Sequence, residues 1–376
     1  MPTEIHGFCD EQFSPLKDAF RANFDAGLEL GSSLGVTHQG KLVVDLWAGW
    51  RDVGKTQPWQ NDTIVRVTST TKIMTIISLL MLVDRGLVEL DEPVARYWPE
   101  FAQGGKDKVT VRDAITHQGG VPGFDPPVPF EAAHDWAGIT ARLAAEPHWF
   151  EGRKVLCYHN NTYGFLLGEI IRRVDGRMAS QFFREEIAEK IGADFQIVLR
   201  SKADFHRLAE LKQPDTPPKF PDSKLVVRVL TSIGPGDTMS WERLSAESPG
   251  GGGCGNGRSI AQVCAIMAMD GELNGKRFLS GKIAEEAATE QVFAEEPAFG
   301  WLRMGLGFGL HSILFPAPTP TAFHWGGYGG SWAMMDPKSR LSLGYAPNNW
   351  IVDLESLDPR LQRFSDALAK VAPGLN

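Results

Sequence analysis

Ser69 and Lys72 stand three residues apart at the head of an apolar stretch, in the string VTSTTK, a spacing that puts both side chains on one face of a helix. A serine hydroxyl is a poor nucleophile until a neighbour removes its proton, and the first turn of a helix favours the negative charge that then develops. Lysine at its reference pKa of about 10.4 is protonated at neutral pH, so it serves as a base only where burial or another cation lowers that value. The chemistry this pair could do is acyl transfer, with Ser69 as nucleophile and Lys72 as its activating partner. Ser14 and Lys17 repeat the spacing. There Pro15 marks a helix start, so Ser14 reads as a cap and Lys17 as a solvated side chain.

Two further strings strengthen the reading at Ser69. In CYHNNTYGFLLGEII, Tyr158, His159 and Asn160 lead into an apolar helix, and in FHWGGYGGSWAMMDP, His324, Trp325, Gly326 and Gly327 form a glycine-rich strand edge. Taken in this order and at these separations, STTK, YHN and HWGG resemble the three motifs of class C β-lactamases, D-alanyl-D-alanine peptidases and family VIII carboxylesterases. ITHQGGVPGF is similar to the threonine-histidine-x-x-glycine stretch those proteins carry between the first two motifs, and WGGYGGSW is most like the esterase branch.

The resemblance covers most of the chain. It implies an antiparallel sheet flanked by helices, a helical domain, and an active site between them. It also implies roles: Ser69 the nucleophile, Lys72 and Tyr158 the pair that handles the proton, and Asn160 a polar group orienting lysine or substrate. Tyr158, with a reference pKa of about 10, becomes a base only if a cation such as Lys72 stabilises its phenolate. The oxyanion hole would be the backbone N–H groups of Ser69 and Gly327. His324, Trp325 and Gly326 are the substrate-binding positions that the third motif implies.

Other patterns carry less. GSSLG, residues 31–35, matches the GxSxG elbow of α/β-hydrolases, but Ser33 follows a helix and begins a strand, the reverse of what that elbow needs. Gly250, Gly252 and Gly255 satisfy GxGxxG with no strand before them, so no dinucleotide is expected. The nine histidines show no metal-ligand spacing and the cysteines no zinc cluster; neither metal nor cofactor is expected. A Ser/His/Asp triad through His159 or His324 stays open, though neither has an identifiable carboxylate partner.

The elements that must position these residues can be read from pattern. A helix is expected from Ser14 to Gly27, a hairpin from Ser32–His38 and Lys41–Trp50, and a buried helix from Thr71 to Arg85 ended by Gly86. Helical signals follow at 139–145, 164–174 and 178–191. Residues 211–257, with four prolines between Pro214 and Pro221 and glycines at 250–253, are expected to be irregular loops near a cleft. A helix from about Ser259 follows, then strands at 307–313, 322–325, 331–336 and 341–346, and a last helix capped by Asp358 and Pro359. Strands at both ends with helices between give an α+β fold: residues 1–86 with 251–376 form the sheet domain, and 87–250 a mainly helical domain with cleft-lining loops.

Composition narrows the function. Over 376 residues, 43% hydrophobic and 22% charged content is ordinary for a globular chain. The net charge of −8, with no Lys/Arg run, argues against nucleic acid as a partner. The longest apolar run, 73–83, is too short to span a membrane. No secretory pattern opens the chain, and Cys9, Cys157, Cys254 and Cys264 lack paired spacing, so a soluble cytoplasmic protein with free thiols is expected. β-Lactamases and D-alanyl peptidases normally act outside the cytoplasm, and their third motif begins with a lysine suited to a carboxylate where His324 stands here. Trp301, Phe308, Trp325, Tyr328 and Trp332 lie close in sequence and would wall a site for small apolar groups. The expected activity is hydrolysis of short-chain carboxylic esters. The alternatives are a β-lactamase or D-alanyl-D-alanine peptidase, an acyltransferase, or a non-catalytic protein on the same fold. Oligomeric state is not written in the sequence.

Overall fold

The structure is a computed structural model, and it describes residues 3–214, 218–312, 316–352 and 357–375. Its main feature is a nine-stranded antiparallel sheet drawn from both ends of the chain. We label its strands β1 (Ile5–Cys9), β2 (Gly31–His38), β3 (Lys41–Gly49), β4 (Val292–Glu296), β5 (Gly300–Met304), β6 (Gly309–Leu310), β7 (Phe323–Gly326), β8 (Trp332–Asp336) and β9 (Leu341–Pro347). Their spatial order is β1-β3-β2-β9-β8-β7-β6-β5-β4. The N- and C-terminal segments therefore meet at the β2–β9 pairing, where Leu34 faces Tyr345 and Val36 faces Leu343.

Six helices of ten or more residues are found among the described residues: α1 (Ser14–Asp25), α2 (Thr71–Asp84), α3 (Trp136–Ala145), α4 (Thr162–Asp175), α5 (Gly257–Ala268) and α6 (Pro359–Val371). On one face of the sheet α1 packs with α6, and Phe13, Leu16, Phe20, Val44, Tyr345 and Phe364 share one core. On the other face lies α5, so close that a β-carbon on Gly35 would fall 2.5 Å from the Arg258 Cα and one on Gly344 2.3 Å from Gly257 O. Glycine is what lets helix and sheet meet there. The GSSLG string thus lies inside β2, where Ser33 Oγ accepts the N–H of Gly257, a packing role.

Helix α2 is the hub of the second core. Every residue from Thr71 to Leu82 is buried, as expected of a helix that is apolar all round. It packs on α4, and the region between residues 87 and 250 adds α3 and several short helices to the same core. This is the α+β arrangement expected from strands at both ends and helices between. No helix among the described residues is long and apolar enough to cross a membrane.

Several local expectations change. Ser14 does not cap α1: a 3-10 turn, Glu11–Phe13, precedes it, and Phe13 holds the cap position. Edge strand β1 exposes most of its residues, which hides it from a pattern search. Strands β4 and β5 were not expected either, because β4 exposes Phe293 and buries Glu296, inverting the usual polarity. The 211–257 segment is less irregular than its prolines suggest, with short helices Lys224–Leu230 and Trp241–Leu244 capped by Ser223 and Ser240. The strand expected at 307–313 is reduced to Gly309–Leu310, and Ile313 lies outside the described residues.

Candidate active site

The nucleophile candidate stands on a strained turn. Ser69 is the middle residue of a 3-10 turn, Thr68–Thr70, that runs into α2. Thr68 has φ +46°, a left-handed conformation that costs a β-branched residue about 1–3 kcal/mol. Neighbours hold it there. Thr68 Oγ1 donates to Tyr328 O at 3.0 Å, and Thr68 O accepts from Thr71 Oγ1 at 2.6 Å. Ser331 Oγ donates to Val67 O at 2.7 Å and contacts Thr70 Oγ1 at 2.9 Å, tying the β8 end of the sheet to the opening of α2.

Lys72 is 1% exposed and comes up beneath Ser69. Its Nζ donates to Ser69 Oγ at 3.1 Å, to Asn160 O at 3.2 Å and to Gly250 O at 2.8 Å. All three contacts are to uncharged oxygens, and among the described residues no carboxylate pairs with the amine. The Nζ also lies 4.9 Å from the centroid of the Tyr158 ring. Tyr158, distant in sequence from Ser69 and Lys72, is thus brought beside the pair.

Tyr158 sits in an aromatic cage. Its ring lies 4.7 Å from His117, 5.6 Å from Trp325 and 5.4 Å from Phe299. From behind, the buried carboxylate of Glu296 accepts the Tyr158 N–H at 2.9 Å, together with those of Ala298 at 2.7 Å and Phe299 at 2.9 Å. Burial pushes the Glu296 pKa upward while those three donors hold it down. One side chain thereby joins the Tyr158 loop to the β4–β5 turn.

Both histidines beside Tyr158 are spoken for. His117 Nδ1 accepts the His159 N–H at 3.1 Å and its ring stacks on Tyr163 at 4.2 Å, with φ +61° fixing the loop. His159 Nδ1 lies 2.7 Å from Cys157 O, and its Nε2 accepts the Val121 N–H at 3.3 Å. That pair of bonds fixes the neutral tautomer with the proton on Nδ1. Burial lowers the pKa of His159 to about 4 and that of His117 well below the usual histidine value. His159 therefore has no place in a Ser/His/Asp triad; it braces the loop.

Three expected assignments change. Asn160 meets Lys72 through its backbone oxygen, while its side-chain amide contacts Asn161 Oδ1 at 3.5 Å. His324 and Trp325 point to opposite faces of β7, as strand alternation demands. Trp325 joins Tyr158 and His117, whereas His324 turns to the other core, where Nδ1 accepts from Trp332 Nε1 at 3.1 Å. The third correction concerns Gly327. Its N–H is donated to Ser331 O at 2.8 Å, so it is not available to an oxyanion. A β-carbon on Gly327 would lie 2.2 Å from Val67 O, which explains the glycine by close approach instead.

The next amide is different. Tyr328 N–H has no acceptor among the described residues, and the same residue's carbonyl is the one held by Thr68. Ser69 N–H belongs to the first turn of its helix, where amides lack intrahelical partners. Gly326 is partly exposed at the end of β7. Of the aromatic residues expected to wall the site, Trp325 does so and Tyr328 and Trp301 are exposed, but Phe308 and Trp332 are buried core residues. Phe299, Glu296, Gly250 and the backbone amide of Tyr328 are the parts of the site that motif reading missed. The four glycines after Pro249 were the one sequence signal for Gly250.

A serine hydroxyl over a buried lysine, with a caged tyrosine beside them between sheet and helices, defines a serine hydrolase of beta-lactamase type. The chain belongs to the beta-lactamase family, whose model matches residues 20–363. It is similar to the esterase/beta-lactamase LipL of Mycobacterium tuberculosis, at 30% identity covering 94% of this chain and 85% of that protein. Among solved structures it resembles a penicillin-binding protein homologue from Caulobacter crescentus (TM-score 0.92, 33% identity, 98% of this chain and 100% of the other). It also resembles a family VIII carboxylesterase (TM-score 0.90, 37% identity, 98% and 100%). Among the described residues no group of three or more His, Cys, Asp and Glu side chains is placed to hold a metal.

Proposed function

We propose that this hydrolase cleaves small short-chain carboxylic esters through an acyl-enzyme on Ser69. The observation that carries the reading is the 3.1 Å contact of Lys72 Nζ with Ser69 Oγ beside the ring of Tyr158. Ser69 Oγ attacks the ester carbonyl and passes its proton to the Lys72–Tyr158 pair. The tetrahedral oxyanion lies between the N–H groups of Ser69 and Tyr328. Tyr158 then returns the proton to the departing alcohol, and water cleaves the acyl-enzyme by the same route in reverse.

What β7 presents beside Tyr158 supports this substrate class. An indole, Trp325, stands beside Tyr158, and His324 faces away, so this strand offers no cation to a substrate carboxylate. Phe299 and Tyr328 are exposed aromatic residues on the neighbouring turns, and they suit apolar acyl or alcohol groups. A carboxylesterase among the similar structures supports the same reading. Purified protein should turn over p-nitrophenyl acetate and butyrate, and Ser69→Ala should abolish it; a variant as active as the parent would refute the proposal.

A β-lactamase side activity is the second reading, supported by the name of the Mycobacterium relative. Nitrocefin and a butyrate ester compared at equal enzyme concentration separate the two, and product analysis with a competing alcohol detects acyl transfer. A cytoplasmic protein acting on small molecules, without nucleic acid or membrane partners, belongs to the same proposal, supported by four free cysteines.

A further inference from the structure

We infer that Arg360, on the C-terminal helix and remote from the substrate, is a positioning residue for the turn that supplies the oxyanion donor. The inference rests on the assignment of Tyr328 N–H to the oxyanion hole. The turn between β7 and β8, Gly327–Gly330, needs outside support: Gly329 and Gly330 take φ +97° and +101°, and glycine has no side chain to anchor either. On the catalytic side Thr68 Oγ1 holds Tyr328 O. On the opposite side Arg360 Nη2 donates to Gly329 O at 3.0 Å, the carbonyl of the residue that follows Tyr328.

The rest of the guanidinium is locked. Nη1 donates to Asn349 O at 2.6 Å, and Nε and Nη2 form a fork on Asp358, at 3.0 Å to Oδ1 and 2.6 Å to Oδ2. The side chain is fully buried, with the Glu29 carboxylate 3.9 Å from Nη1. A β-carbon on Gly330 would fall 2.1 Å from Nη2, and one on Gly329 2.2 Å from the Trp350 ring, so the turn lies directly against both. A buried ion pair of this kind is a poor source of net stability, because desolvation offsets the attraction. What the planar fork does supply is fixed direction: one group spans two carbonyls and a carboxylate, a geometry lysine cannot reproduce. The C-terminal helix thereby sets the position of a turn on which catalysis depends.

The test compares wild type, Arg360→Lys and Arg360→Ala by the rate at which a fluorophosphonate labels Ser69, with thermal melting in parallel. Labelling needs the nucleophile and the oxyanion hole but no knowledge of the natural ester. The maximal labelling rate of Arg360→Lys should fall about tenfold or more, since loss of one oxyanion donor is worth about 10²–10³-fold. Its half-saturating concentration should stay within about threefold, and guanidinium ion should partly restore Arg360→Ala. A folded Arg360→Lys that labels as fast as wild type would overturn the inference alone. Failure of the wild-type Ser69 to label would overturn the hydrolase reading and the inference with it.

Discussion

Gly164, in the first turn of α4, lies so close to Gly250 that a β-carbon on it would stand 2.1 Å from the Gly250 amide nitrogen. Gly250 is also the residue whose carbonyl takes the shortest hydrogen bond of Lys72, at 2.8 Å. The helix that follows the tyrosine motif thus sets the position of a carbonyl that holds Lys72, and two glycines make that contact possible.

Gly164→Ala should therefore act at both levels. Overpacking at a buried backbone contact costs about 1–3 kcal/mol, and displacement of the Gly250 peptide should withdraw an acceptor from Lys72. The melting temperature should fall together with kcat for p-nitrophenyl butyrate. Alanine tolerated with unchanged activity would show that the glycine run has no part in holding the lysine.

Tyr158→Phe keeps the ring in its cage and removes only the hydroxyl. The cage contacts to His117, Trp325 and Phe299 should preserve the fold. If Tyr158 moves the proton, kcat should drop by about 10²–10⁴-fold with little change in melting temperature. Steady-state kinetics beside a melting curve gives the answer.

Glu296→Ala removes the acceptor for three backbone N–H groups, those of Tyr158, Ala298 and Phe299. Each buried donor left unsatisfied costs about 1–3 kcal/mol, so a lower melting temperature is expected. Because the same carboxylate joins Tyr158 to the turn carrying Phe299, kcat and KM should both change.

Most of the candidate site could be read from the chain. The spacing of Ser69 and Lys72, the tyrosine before α4 and the glycine-rich edge at 325–327 are local patterns that survive folding. What could not be read depends on pairings between distant segments. Strand alternation decides that Trp325 faces Tyr158 and that His324 does not, and the turn closure at Ser331 uses the Gly327 amide and leaves that of Tyr328. Glu296 ends an edge strand that exposes Phe293, so polarity alone marks it as a surface residue. Arg360 lies one residue inside the C-terminal helix, where nothing local reveals that it reaches Gly329.

The buried histidines give a pH dependence of stability. His159 takes a proton at about 4 when folded, against an unfolded value of about 6.5, so the native state gains protons later than the unfolded state as pH falls. Its contribution is present in full above pH 6.5 and is lost on acidification towards pH 4, amounting to about 3 kcal/mol by then. His117 works in the same direction. Denaturant melts of wild type between pH 7 and pH 4 should show that decline, and His159→Gln should flatten it. Equal slopes in the two proteins would mean that other groups govern the acid limb.

The most direct test is intact-mass spectrometry of protein quenched during turnover of p-nitrophenyl butyrate, with peptide mapping of any adduct. A single butyryl addition is expected on the peptide containing Ser69 and absent from Ser69→Ala. Turnover with an adduct on another residue, or undiminished turnover by Ser69→Ala, would contradict the account.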